Sequence, residues 1–323
     1  MSTDKPPGKS NGMKKTDVSG TRQKKPAAKI KNRTLGIALF ENVVKVVELG
    51  FTMEEILLLN RVRGEFSGGM LRRGVITKVE QLGDYTMDLI TEAGIKTSAG
   101  YINIPDQFTI IKEIAIPPEL PETVPDWINW ELSHYLIKPI KKYAVSWFSI
   151  SDKSIYGAAV PKNIVSQRIE LLQLAGVSPR GVEPSVIAMH NAFAYFNRKH
   201  SKNLLMLVID EQFTSISIVL GGRFKYIGHF FIKTTSNNDY LKGFSTVFTV
   251  ITKSLGFSPT KHKFEELLVT GKVGAASQFG KLLSAAINIP PVELGTVANQ
   301  LGYEESDIDE WLVPIGLALE GTE

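Results

Sequence analysis

The stretch Thr34–Leu49 reads TLGIALFENVVKVVEL. Two apolar runs, LGIALF and VVKVVEL, flank the polar pair Glu41–Asn42, a pattern of two strands joined by a tight turn. A single cation, Lys45, stands inside the second run. Around the turn lie Ala38, Leu39, Phe40, Glu41 and Asn42, four of them bulky or polar and none of them glycine. The reading of this hairpin decides the rest of the chain.

Outward from it, the 323 residues suffice for one large domain or two to three smaller ones. With 43% hydrophobic and 22% charged residues, the composition is that of a globular protein. The absence of cysteine excludes disulfides, thiol nucleophiles and cysteine-based zinc sites. No apolar run reaches the ~18 residues of a membrane-spanning helix, and the polar N-terminus lacks a signal-peptide core. The expectation is a cytosolic protein, peripheral to a membrane only through partners.

The formal charge of +4 is unevenly placed. Residues 1–33 carry ten Lys/Arg against Asp4 and Asp17, or +8, which leaves 27 basic and 31 acidic residues, or −4, for the body. The leader is rich in Lys, Pro, Gly, Ser and Thr and nearly free of large apolar groups, so it is expected to be disordered. It serves either as a solubilising leader or as an attractor of anionic lipid or nucleic acid. No aromatics interleave its lysines, which disfavours nucleic acid.

Along the body, strands alternate with helices. After the first hairpin come EEILLLNRVR, the Gly/Arg loop GEFSGGMLRRG, and a helix over Val79–Ile90 that stops at Gly94. Two extended pieces, AGYINIP and FTIIKEIAIP, precede a helix in WINWELSHYLI. KYAVSWFSI and SIYGAAV form a hairpin around SDK. IVSQRIELLQLAGV is a helix with Gly176 as its stop, and SVIAMHNAFAYFNRK is another with Ser185 as N-cap. The strand-rich grammar then restarts with LLMLVID, SISIVLGG and FKYIGHFFI, followed by the helical YLKGFSTVFTVITKSLG, the buried ELLVTG, and the helices FGKLLSAAI and WLVPIGLALEG. Strands followed by helices, twice over, suggest a duplicated α/β domain with a cleft between the copies.

Catalytic motifs are missing. TGKVGAASQFGKL places five residues between Gly274 and Gly280 and puts Leu282 where a phosphate loop needs Ser or Thr. No GxGxxG, GxSxG or HExxH occurs. His134, His190, His200, His229 and His262 are scattered, and none is expected to bind metal. Adjacent acids such as Glu304–Glu305 are solvated faces. Trp127, Trp130 and Tyr135 recur at helical spacing, as a packing stripe or an exposed partner-binding face.

Several of these stretches, in order from Thr34 to Gly321, resemble the PilM family of type IV pilus assembly. LGIALFENVVKVVEL has the layout of that family's first phosphate loop, keeping Leu35-Gly36-Ile37 and Val44-Lys45-Val46-Val47-Glu48-Leu49. GVITKVEQLGDYTMDLI resembles its strand-to-helix segment, and WINWELSHYLIKPI, with Glu131 and Pro139, its aromatic helix. LLMLVIDEQFTSISIVLGGRF occupies the second phosphate loop, ELLVTGKVGA the adenosine loop, and PIGLALEG the C-terminal helix.

The resemblance implies an α/β, actin-like fold of the type shared by FtsA and the heat-shock ATPases, with two lobes of duplicated mixed-sheet subdomains. Its parts are a disordered tail at 1–33, a first lobe at 34–105 with 179–200 and 305–323, an inserted subdomain at 106–178 and a second lobe at 201–304. It implies a scaffold docking on the cytoplasmic N-terminal peptide of a PilN-like bitopic membrane protein, beside other pilus machinery, with the basic tail drawn to anionic lipid and nucleic acid not bound.

It also implies a site for ATP and magnesium, which the loops contradict. Phosphate loops work because glycine and small hydroxyl residues let backbone N–H groups close around phosphate oxygens. Here Ala38 replaces the family's acid, Phe40 replaces its glycine with a side chain that would occupy the space a phosphate needs, and Glu41 adds a like charge worth about 4 kcal/mol of repulsion at ~4 Å from a phosphate. Glu211, Gln212 and Phe213 follow Asp210, and Lys272 and Val273 follow Gly271. Gly36, Lys45, Asp210, Thr214 and Gly271 are then remnants of nucleotide loops. No catalytic or metal-binding residue is expected, and no cofactor. Lys45 either snorkels or retains a nucleotide contact; Asp210 either caps a turn or does the same. The alternatives are a working ATPase with divergent loops, or an actin-like scaffold of type II secretion (GspL) or cell division (FtsA).

Overall fold

The computed structural model describes residues 29–66, 68–117, 123–197, 203–210, 213–232, 236–256, 264–272, 277–301 and 307–322. Nearly all of the basic leader, with Glu211, Gln212, Val273, Gly274, His200, His262 and Glu304–Glu305, lies outside them. The first strands are β1 (Asn32–Phe40), β2 (Val43–Phe51) and β3 (Ile56–Glu65), then the short pair β4 (Leu71–Arg72) and β5 (Val75–Ile76), then helix α1 (Val79–Glu92). Next come β6 (Ala99–Ile104), β7 (Ile110–Ala115), α2 (Val124–Ser133), β8 (Tyr143–Ser151), β9 (Ser154–Pro161), α3 (Lys162–Leu174), β10 (Ser178–Pro184) and α4 (Ser185–Phe196). The second half holds β11 (Leu204–Asp210), β12 (Phe213–Leu220), β13 (Arg223–Phe231), α5 (Asn237–Ser254), β14 (Glu266–Gly271), α6 (Gln278–Ile287), α7 (Gly295–Gln300) and α8 (Leu312–Leu319).

The repeat read in the sequence is a repeat of topology. One sheet runs β10-β6-β1-β2-β3 and another β13-β12-β11-β14. In each, a leading hairpin pairs antiparallel and its first strand takes a later strand in parallel: β6 beside β1, β14 beside β11. Each sheet is apolar on both faces, so each needs helices on both sides. Leu35, Ile37, Val44 and Val46 pack with Leu82 and Leu89 of α1 and Leu171 and Leu172 of α3. The opposite face, with Ala38, Phe40 and Val47, packs on α4 and α8, which also receive Met206 and Val208 from β11. Leu205, Leu207 and Val269 turn instead toward Phe244 of α5 and Leu283 of α6. Helices α4 and α8 are therefore the shared layer between the two sheets.

That layer is packed backbone to backbone. A methyl group at Gly36 would lie 1.8 Å from the Pro314 carbonyl oxygen, and one at Gly316 1.8 Å from that of Ala188. All eight residues of α8 are buried. Ser185 is not the cap of α4. Its hydroxyl donates to the Ile104 carbonyl, and the Val186 N–H donates to Asp106 Oδ1 at 3.1 Å, so a carboxylate from another segment caps the helix.

Strands β7, β9 and β8 form a separate three-stranded sheet, in that order, covered on one face by α2. Helix α3, within the 106–178 span, packs Leu171 and Leu172 on the first sheet and Ile164 beside Val160 of β9. The expected Trp stripe divides: Trp127 packs on the α2 core, while Trp130 and Tyr135 are exposed. No described helix is long and apolar enough to cross a membrane.

Candidate functional site

The β1–β2 turn is two residues long, and Asn42 adopts φ 62°, a conformation that asparagine tolerates better than most. Strand alternation then fixes the side chains. Phe40 shares a face with Ala38 and Lys45 and is buried in the cluster with α4 and α8. Its ring fills space inside the protein 5.9 Å from the Lys45 ammonium.

Lys45 lies on the same face as Val43 and Val47, which directs it into the protein. It is fully buried, so it does not snorkel. Its ammonium donates to the Gly271 carbonyl at 2.8 Å, to the Glu310 carbonyl at 3.1 Å and to Glu310 Oε2 at 3.1 Å. Rings of Trp311 and Phe40 lie 5.6 and 5.9 Å away. Burial lowers its pKa to about 8 although the Glu310 carboxylate opposes the shift. One lysine of the first lobe thus ties together β14 of the second lobe and the 3-10 helix Ile308–Trp311 that leads into α8.

The two hairpin turns meet directly. The Glu41 backbone N–H donates to Asp210 Oδ1 at 2.6 Å, while Glu41 Oε2 accepts from the Arg73 N–H at 2.9 Å. Asp210 therefore does more than close its own turn with Phe213. Its charge also favours the cationic form of buried Arg168, whose pKa burial lowers to about 10. Arg168 donates to the carbonyls of Gly74 and Asn103. Gly271, at φ 111°, packs so closely on β11 that a methyl group there would lie 2.4 Å from the Ile209 oxygen.

Of the five residues singled out by sequence, Lys45 and Gly271 meet in the buried seam between the hairpins, and Asp210 lines the cleft above it. Gly36 and Thr214 do neither. Gly36 admits α8, and the Thr214 hydroxyl bonds Tyr240 of α5 inside the second lobe. A cleft of about 650 Å³ opens above the turns, lined by Glu41, Asn42, Arg72, Arg73, Asp210, Phe213 and Phe231. Two arginines face two carboxylates there, and the Arg73 guanidinium sits 5.6 Å over Phe231. Asn42 Oδ1 is buried without a hydrogen-bond partner.

Sequence reasoning missed Glu310 and Arg168. Neither sits in a motif, and only the tertiary fold brings them to the seam. Arg72 and Arg73 were visible as a Gly/Arg loop without a placement.

A two-lobed repeat of mixed sheets around a shared helical layer is the actin-like fold. Over 90% of this chain and 98% of the other, the structure matches a chain of a PilM–PilN type IV pilus biogenesis complex, at TM-score 0.72 and 18% identity. A Bacteroides thetaiotaomicron protein of actin-like ATPase fold and unknown function matches at 0.51, with 13% identity over 85% of this chain and 97% of that one. The cytoplasmic domain of EpsL, an inner-membrane component of type II secretion in Vibrio cholerae, matches at 0.50, with 9% identity over 86% and 98%. No family model and no curated protein matches the sequence. At these identities the likeness establishes the fold.

Proposed function

We propose that the chain is a PilM-like, non-catalytic scaffold that docks a short peptide of a PilN-like membrane protein. The observation that carries the non-catalytic part is the bond from the Glu41 N–H to Asp210. A loop that grips phosphate needs free backbone donors, and this donor already has a carboxylate of the chain itself. The remaining groups fit ATP and magnesium poorly. Lys45 is spent on Gly271 and Glu310, and the orphaned polar atom at the turn, Asn42 Oδ1, is an acceptor where phosphate calls for donors.

Docking is supported by the likeness to PilM and by the edge strand β8. Among the described residues β8 is paired on one side, by β9, and Trp147 and Phe148 stand on its opposite faces at 41% and 51% exposure. An extended peptide added there gains main-chain hydrogen bonds and two aromatic platforms. Phe148 lies beside Tyr156, whose hydroxyl donates to the Phe224 carbonyl of the second lobe, so an occupant of β8 sits next to a contact between subdomains.

Titration calorimetry of the full chain with the cytoplasmic N-terminal peptide of the neighbouring PilN-like protein tests this reading. Micromolar binding is expected, weakened about tenfold or more by Phe148→Ala. No interaction at tens of micromolar contradicts it. The likeness to EpsL favours a type II secretion scaffold as the second reading, and the matching peptide of that system separates the two.

A further inference from the structure

The surface that follows α2 is built unlike the rest of the molecule. After Ser133 the chain crosses to β8 through His134–Lys142. Leu136 and Ile140 turn inward onto the Ile128–Leu132–Ile155 core, while Ile137 between them is 98% exposed. An aliphatic side chain wholly in water, held out by anchored neighbours and followed by Pro139, is a fixed projection. Trp130, at 60% exposure and edge-on to His134, and Tyr135, at 48%, accompany it.

Lysines frame this projection. Lys138, Lys141 and Lys142 are exposed, and Lys112 of β7 places its ammonium 4.9 Å over the Tyr135 ring. From Leu132 to Ser151 the sequence contains no acid.

We infer that this loop is a contact site for an anionic lipid surface, with Ile137 as the inserting tip. The composition separates lipid from protein as the occupant. Protein interfaces are depleted in lysine and seat their aromatic anchors in pockets. Here an apolar tip, two interfacial aromatics and four lysines stand on a convex loop, the arrangement that suits headgroups around a shallowly inserted side chain. The site adjoins the start of β8 at Tyr143 but does not include Trp147 or Phe148, and it needs no partner protein.

The absence of cysteine allows a clean test on the full chain. Ile137→Cys carries an environment-sensitive fluorophore, and Val250→Cys on α5, 61% exposed, serves as control. With vesicles of phosphatidylcholine and phosphatidylglycerol, the label at 137 shifts blue and is quenched by brominated lipid, whereas the label at 250 does neither. Vesicles of phosphatidylcholine alone give no shift. Replacing Lys138, Lys141 and Lys142 by Gln lowers vesicle affinity by about a hundredfold, from about fivefold per lysine. The inference is overturned if both labels respond alike, or if the protein sediments with vesicles while the label at 137 stays silent, which assigns binding to the basic leader. It is overturned equally if poly-glutamate shifts that label as strongly as vesicles do, since the site is then one for acidic protein.

Discussion

The seam beneath the cleft and the surface of the β7–β9–β8 sheet treat their unusual residues in opposite ways. At the seam, two groups that a phosphate would call on are turned onto the protein itself: Lys45 onto Gly271 and Glu310, the Glu41 amide onto Asp210. On the small sheet, large apolar groups are left in solvent: Trp130, Tyr135, Ile137, Trp147 and Phe148. A folded chain gains little by exposing such residues unless something covers them. The contrast supports the proposal that the function lies on the outer surface and that the seam serves stability.

If the seam is structural, its perturbation costs stability first. Gly36→Ala has the largest expected effect, about 3 kcal/mol or more by urea unfolding, because the added methyl meets the α8 backbone and not a movable side chain. A loss below about 1 kcal/mol would mean that α8 is free to shift. Lys45→Ala follows, at about 3 kcal/mol, from the cavity and the unpaired Gly271 carbonyl. Lys45→Met, which keeps the volume, should recover part of that loss.

The third expectation concerns pH. Burial, with the charges of Glu320 and Asp106 adding to it, raises the pKa of Glu183 to about 8. The folded state then holds a proton that the unfolded state releases, so stability present below about pH 4.5 is lost as pH rises toward about 8. Glu183→Gln should flatten the unfolding free energy across that window. An unchanged slope places the titration elsewhere.

The smallest effect should come from the outer surface. Trp147→Ala is expected to change stability by less than about 0.5 kcal/mol while weakening peptide binding. A large loss of stability would make Trp147 a core residue and remove the contrast.

Much of the fold was legible because it is written in periodicity. The hairpins β1–β2 and β8–β9, the consecutive strands β11 to β13, the helices ended at Gly94 and Gly176 and the repeat of strands before helices all follow from local pattern. Orientation was less legible. That Phe40 is bulky where a phosphate loop has glycine was legible, but that the phase of β1 packs it with α4 and α8 was not. Gly36 was read as part of a phosphate loop, but the approach of α8, nearly three hundred residues away, explains it better. The cap of α4 comes from Asp106 and not from Ser185 for the same reason: a long-range carboxylate outcompetes a local hydroxyl. Glu310 and Arg168 became visible only when the chain was folded.

The central claim is that the grip on phosphate has been replaced by contacts of the protein with itself. Calorimetric titration of the full chain with magnesium and ATP at millimolar concentration, paired with a phosphate-release assay, tests it most directly. No saturable heat and no turnover are predicted. Saturable binding with turnover that Lys45→Met abolishes would contradict the account.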